Sequence, residues 1–374
     1  MFLALRELRF ARWRFTLMGS VVALIAVLMV LLSGLSSGLV NDGVSGLQRL
    51  PVTAFAFDGE TKIDSAFSRS IVDSQQVDRW RQQPGVREAE PFGNLLVNTR
   101  SSRDTPVDLA LFGVEPGSFL APTAAEGADV GTPDGIVVSQ TALDNGLRVG
   151  DTVTVDRIGT VLTVVGATAD QHTFGHVDVA YLPLESWRRL QAGVGPGQAL
   201  PANAADRATA VAIRADDTVD LAAGDAAAGT TTVTKKESYG ASPGYTAETT
   251  TLTLIEAFLY AISALVVGAF FTVWTINRRH ELAVLRAMGA AKPYLLRDGL
   301  LQALVILTLA IAAGVAVGVA LGSLMGGSGV PFALEAPAVG FAAVLLVLLG
   351  LLGASAAIVR VTTIDPLAAL GEQR

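Results

Sequence analysis

The chain has 374 residues, 51% of them hydrophobic and 16% charged, with a mean hydropathy of +0.49 and a formal net charge of −7. That balance is too apolar for an ordinary soluble protein, and the lack of cysteine excludes disulfides and thiolate metal sites. The charge is segregated: residues 40–251 carry 27 Asp and Glu against 16 Lys and Arg, which argues against a nucleic-acid or anionic-lipid partner for that segment.

Residues 1–14, MFLALRELRFARWR, interleave Phe2, Leu5, Leu8, Phe10 and Trp13 with arginines, the pattern of an amphipathic helix at a membrane interface. The arginines serve equally well as topology signals. Four apolar runs follow, at 15–39, 252–276, 295–324 and 339–359, each long enough to cross a hydrocarbon layer of ~30 Å. The first exceeds the apolar core of a cleaved signal and is expected to be retained. Basic residues flank the runs unevenly. Arg6, Arg9, Arg12 and Arg14 precede the first, Arg278, Arg279, Arg286, Lys292 and Arg297 gather between the second and third, and Arg360 and Arg374 follow the fourth. The connection 325–338 has no Lys or Arg. The positive-inside rule then places both termini, the 277–294 connection and the tail 360–374 in the cytoplasm, and residues 40–251 outside the cell membrane.

Within the outer segment, Ser74 reads as the cap of a short helix through Gln83, ended by Pro84-Gly85. Alternating runs at 94–100 and 107–114 predict a hairpin around the polar turn 101–106. Runs rich in β-branched residues predict strands at 135–138, 152–155, 161–166 and 177–182, with helices at 141–145 and 184–191. A loop at 193–205 precedes a strand near 208–214, and the Ala-rich stretch 221–229 reads as a weak helix. The expected fold class is four transmembrane α-helices with a large α+β extracytoplasmic domain between the first and second.

No G-x-x-x-x-G-K-[ST] loop occurs, so this chain does not bind ATP by that route. Neither a Ser-His-Asp order nor a G-x-S-x-G elbow is present, which leaves an enzymatic reading without support. His172 and His176 have the spacing of a metal pair on a helix, but Gly175 and the flanking strand patterns make this a loop or hairpin. Glu256 is the ionisable residue nearest the apolar part of the second run, ~33 Å above Arg278 at 1.5 Å per residue. Met29 lies ~22 Å above Arg14 by the same count. Packing explains a methionine among leucines, and interfacial exposure explains Glu256. Together they would offer a thioether and a carboxylate to the iron of a planar ligand such as heme, between Phe258 and Tyr260 as aromatic walls, if helix tilt closes the ~10 Å gap in depth. No other metal site is expected.

The most specific segment is Arg278-Arg-His-Glu-Leu-Ala-Val-Leu-Arg-Ala-Met-Gly-Ala290. This R-x-x-E-[LI]-A-x-L-R-A-x-G run resembles the signature of MacB/FtsX-type ABC transporter permeases. The tail Ile364-Asp-Pro-Leu-Ala-Ala-Leu370 is similar to that family's closing I-x-P-x-x-A-L, departing at Gly371, where arginine is common. Read as a helix along the membrane, the run sets Leu282, Leu285 and Met288 or Gly289 at helical spacing, with Arg278, Arg279, Glu281 and Arg286 as charged contacts. The resemblance implies that this helix docks in a groove of a separate ATPase. It also implies a homodimer of the permease with two ATPase copies, in which ATP hydrolysis on the partner moves the spans and the outer domain. Ser33, Gly34, Ser36, Ser37 and Gly38 would permit close helix contact at the dimer interface. Heme export fits the length and organisation best among the family's branches. Export of drugs or peptides, extraction of lipids or lipoproteins, and regulation of cell-wall hydrolases without transport are the alternatives.

Overall fold

The computed structural model describes residues 12–277, 284, 288–289, 291–325 and 330–362. Its contacts divide the chain into one unit of Met1–Gly38 with Thr250–Arg374, and a second of Leu39–Thr249. The described chain opens with α1 (Arg12–Arg49), 38 residues and about 57 Å of helix. The helix does not stop where the apolar run ends. Val44 and Leu47 are buried in the second unit's core, and Asn41, Ser45 and Arg49, four residues apart, form a polar stripe on one face.

The second unit continues with β1 (Ala54–Asp58), α2 (Ala66–Arg69), α3 (Ser74–Arg81), β2 (Val86–Ser101) and β3 (Pro106–Val114). Then come β4 (Glu126–Gly127), β5 (Gly135–Val138), α4 (Gln140–Asp144), β6 (Thr152–Val155), β7 (Val161–Ala167) and β8 (Thr173–Phe174). The unit is completed by β9 (Val177–Pro183), α5 (Leu184–Gln191), β10 (Ala210–Ala215), α6 (Leu221–Ala228) and β11 (Thr230–Thr234). The strands form one sheet in the order β11-β1-β10-β2-β3-β9-β5-β7-β4, with β6 pairing β2 and β7, and β8 pairing β9. The 16-residue β2 holds it together: its first half pairs with β10 and its second with β3.

Alternation along the strands sorts side chains between separate cores. In β1, Phe55 and Phe57 enter a phenylalanine-rich core with Phe67, Phe92, Phe112 and Phe174, while Ala54 and Ala56 face Val77 and Trp80 of α3. Both faces of β1 are therefore buried, so its sequence shows no apolar–polar alternation to predict it by. In β3, Leu109 and Leu111 face a third core containing Trp187 of α5, and Ala110 and Phe112 face the aromatic one. The helix predicted from Ser74 begins there, but its cap is Asp73. The Asp73 carboxylate accepts from the Gln76 N–H at 2.9 Å, and the Gln76 side chain accepts from the Asp73 N–H at 3.0 Å.

The remaining long helices among the described residues are α7 (Tyr245–Asn277), α8 (Lys292–Met325) and α9 (Ala336–Thr362). With α1 they make four helices long and apolar enough to cross a membrane. Their packing relies on small residues: a Cβ on Gly314 of α8 would fall 2.4 Å from the Ala23 carbonyl of α1. Gly34 and Gly38 correct the sequence expectation. They do not present an open face to a second copy, because the connection before α9 seats the Phe332 ring on Gly34 and the Pro331 backbone on Gly38. The Ala333 N–H also donates to the Gly34 carbonyl at 2.9 Å. Ser33, Ser36 and Ser37 remain partly exposed.

Candidate functional site

In the second unit, the outer end of α1 is bolted to the segment 170–179. Its outermost contact is Arg49, which pairs with the Asp170 carboxylate at 3.0 Å and donates to the Gln171 carbonyl at 2.8 Å. One turn back, the buried Ser45 hydroxyl shares a 2.7 Å bond with the Thr173 hydroxyl and accepts from the Thr173 N–H at 2.9 Å. Another turn back, the Asn41 side chain donates to that of Gln171 at 2.9 Å, and the Gly175 N–H reaches the Gly43 carbonyl at 2.9 Å. Gly46 lets the helix sit directly on the hairpin, since a Cβ there would fall 3.0 Å from the Thr173 carbonyl. Sequence reasoning missed this joint. The signal was present in the polar positions 41, 45 and 49, which continue the helical spacing past the apolar run.

The β8–β9 hairpin turns on Gly175 and His176, with φ of 60° and 65°, the two left-handed residues that a two-residue turn requires. The turn presents His176 between two carboxylates. Its Nδ1 lies 3.0 Å from Asp42 of α1, and its Nε2 lies 3.2 Å from Glu248 in the first turn of α7. A neutral imidazole has one N–H and can donate to only one of them, whereas an imidazolium serves both. His172 has a different partner, the Tyr181 hydroxyl at 2.8 Å. Burial, with the Arg49 guanidinium second, lowers its pKa to about 4 against the pull of Asp170, so His172 is neutral. Asp178 accepts from the Thr141 hydroxyl and from Asn145 at 3.3 Å, and burial raises its pKa. Among the described residues, no three His, Asp or Glu side chains are arranged to hold a metal ion. The cluster ties the hairpin to Asp42 and Glu248 through His176 and to α1 through Ser45 and Arg49.

The four residues proposed from sequence to surround a ligand are spread over the membrane helices. Met29 is 1% exposed and belongs to the bundle core with Val267, Phe271 and Ile306, so in this arrangement its sulfur is packed. Glu256 is half-buried and stands one turn before Tyr260, which packs against that same core. Phe258 points away from it, 60% exposed. Glu256 and Tyr260, four residues apart, thus share a helix face.

Of the proposed coupling residues, Arg278, Arg279, Glu281, Leu282, Leu285 and Arg286 lie outside the described residues. So do the amphipathic segment before Arg12 and the tail after Thr362. At the end of the motif, the Met288 N–H donates to the Val284 carbonyl at 3.0 Å, a helical i to i−4 bond, and Met288 is 72% exposed. Gly289 follows at φ 100°, a left-handed position that suits glycine, and the chain then starts α8 with Pro293 in its first turn. The motif's glycine thereby supplies a left-handed backbone position that other residues rarely adopt.

Residues 15–231 match the MacB-like periplasmic core domain, and residues 253–366 match the FtsX-like permease C-terminal domain. A permease of Staphylococcus haemolyticus named for hemin transport, HrtB, is 24% identical over 371 residues, covering 99% of both chains. An uncharacterized ABC transporter permease of Mycobacterium tuberculosis is also 24% identical, over 388 residues and 99% of both chains. The solved periplasmic region of MacB from Actinobacillus actinomycetemcomitans aligns with 50% of this chain and 91% of its own, at 12% identity and a TM-score of 0.35. Four apolar helices, a large mixed α/β unit between the first and second, and the two domain matches identify a multi-pass membrane protein with an extracytoplasmic domain. The chain belongs to the MacB/FtsX-type ABC transporter permeases, whose members are non-catalytic membrane subunits working with a partner ATPase.

Proposed function

We propose that this permease expels heme, as an amphipathic substrate, from the membrane to the outside, driven by ATP hydrolysis on a separate subunit. In this reading both termini are cytoplasmic, and the permease is a homodimer carrying two ATPase copies. The observation that carries the substrate is the similarity, over 99% of both chains, to a permease named for hemin transport. Glu256 and Tyr260 on one face of α7 supply a carboxylate and an aromatic ring at the level where an amphiphile would leave the bilayer, and Phe258 offers an exposed ring on the other face. Met29 becomes a ligand to heme iron only when the bundle opens around it, a change that ATP-driven motion would provide. The ATPase-docking surface is assigned to Arg278, Arg279, Glu281, Leu282, Leu285, Arg286, Met288 and Gly289, in accord with the basic flank that marks this side as cytoplasmic.

The test is an absorption titration of the full-length permease in detergent with hemin, alongside Met29→Ala and Glu256→Ala. A saturable Soret shift that either substitution removes supports the proposal. A titration identical to hemin in detergent alone overturns heme and directs attention to drug, peptide or lipid substrates. Replacing Glu281 and Arg286 is expected to abolish ATPase association while leaving any hemin shift in place.

A further inference from the structure

Between α8 and α9 runs a groove of about 690 Å³. Its walls are leucines, among them Leu300 and Leu304 from α8 and Leu348 and Leu352 from α9, and Leu352 is 64% exposed. The two helices that carry it touch closely elsewhere along their length: a Cβ on Gly350 would fall 2.8 Å from Leu307, and one on Gly299 equally close to Ile358. One charged residue, Arg297, lines it, beside Pro293 at the amino-terminal end of α8. Arg297 is exposed and makes no ion pair among the described residues, and its neighbour Asp298 accepts from Gln302 at 2.9 Å. The groove is therefore apolar along its length and cationic at one end.

We propose that this groove binds an anionic phospholipid, with an acyl chain along the leucines and the headgroup phosphate against Arg297. Membrane helices have no apolar drive to leave such a groove empty or to fill it with a second helix, since lipid chains are as apolar as leucine. What distinguishes this one from lipid-bathed surface in general is the concave leucine lining joined to one cation that makes no ion pair among the described residues. A neutral lipid satisfies the walls, but only an anionic headgroup also satisfies Arg297. The assignment of Arg297 to the cytoplasmic leaflet, where anionic lipid is concentrated, rests on the topology proposed above.

The test is native mass spectrometry of the full-length permease released from nanodiscs containing equal phosphatidylglycerol and phosphatidylcholine. The wild-type chain is expected to retain phosphatidylglycerol preferentially. Arg297→Gln should lower that preference about fivefold, the effect of one basic residue near an anionic lipid, and Arg297→Lys should keep it. Leu348→Trp, which fills the groove, should reduce retention of both lipids. Equal retention of the two lipids by the wild-type chain, or an unchanged preference in Arg297→Gln, overturns the proposal. A Leu348→Trp chain that also loses its self-association would instead assign the groove to a second copy. Because the chain has no native cysteine, labelling of Arg374→Cys in intact cells reads the topology separately. Failure of the topology is thereby distinguished from failure of the lipid site.

Discussion

Ser45→Ala tests whether the outer end of α1 is fastened to the β8–β9 hairpin as described. The Ser45 hydroxyl, 1% exposed, is the acceptor for the Thr173 N–H at 2.9 Å and shares a second bond with the Thr173 hydroxyl at 2.7 Å. Alanine removes the acceptor and leaves the amide buried at a site too tight for water, because Gly46 packs against the Thr173 carbonyl one residue along. A buried donor left unpaired costs about 1–3 kcal/mol. For a unit of this size, a central value of about 2 kcal/mol corresponds to a fall of roughly 4–8 °C in the unfolding midpoint. The assay is thermal unfolding of the full-length chain in detergent by tryptophan fluorescence, which reports the outer unit through its buried Trp80 and Trp187. Amide hydrogen exchange should show the loss of protection concentrated at 173–178, with α3 and α6 unchanged. A midpoint within about 1 °C of wild type, together with unaltered exchange at Thr173, would refute the reasoning.

Two further outcomes follow from the same geometry. His172 is held near pKa 4 in the folded chain against 6.5 for the free side chain, so the unfolded chain binds more protons between those values. Stability supplied by the neutral form is complete above pH ~6.5 and falls as pH drops toward 4, by up to about 3 kcal/mol. His172→Asn should flatten the dependence of the unfolding midpoint over that window, and an unchanged slope would assign it to other groups. In the membrane unit, a Cβ at position 34 would lie 2.3 Å from the Phe332 ring. Gly34→Ala should therefore cost about 1–3 kcal/mol in the wild-type chain and much less on a Phe332→Ala background. Equal costs on both backgrounds would show that the ring does not rest on that glycine.

Much of the architecture could be read from composition and period. Four uninterrupted apolar runs have few alternatives to crossing a bilayer, and β5, β6 and β9 announce themselves as β-branched runs between glycines and aspartates. What escaped has specific causes. β1 is buried on both faces, so its Ala-Phe-Ala-Phe pattern carries no polar alternation. α1 looked finished at residue 39 because hydropathy falls there, although helical spacing persists to Arg49. The small residues near Gly34 were legible as a close-packing surface, but sequence cannot say whether the partner is another copy or the chain's own Phe332. Candidate ligand residues were recognised by chemistry alone. Whether a side chain such as Met29 faces a ligand or a packed core depends on helix rotation, which a long uniformly apolar run does not encode.

His176 spans the two points where the chain passes into and out of the outer unit, touching Asp42 of α1 with one ring nitrogen and Glu248 of α7 with the other. One side chain therefore bridges residues near the beginning and the end of the inserted unit. An insertion whose ends lie near each other can grow, shrink or be replaced without altering the spacing of the helices that carry it. The outer unit is in that sense a cassette: a graft that keeps the Asp42–His176–Glu248 clasp could bring a different extracytoplasmic surface to the same helical drive, opening chimeric permeases to recombination at Leu39 and Thr249.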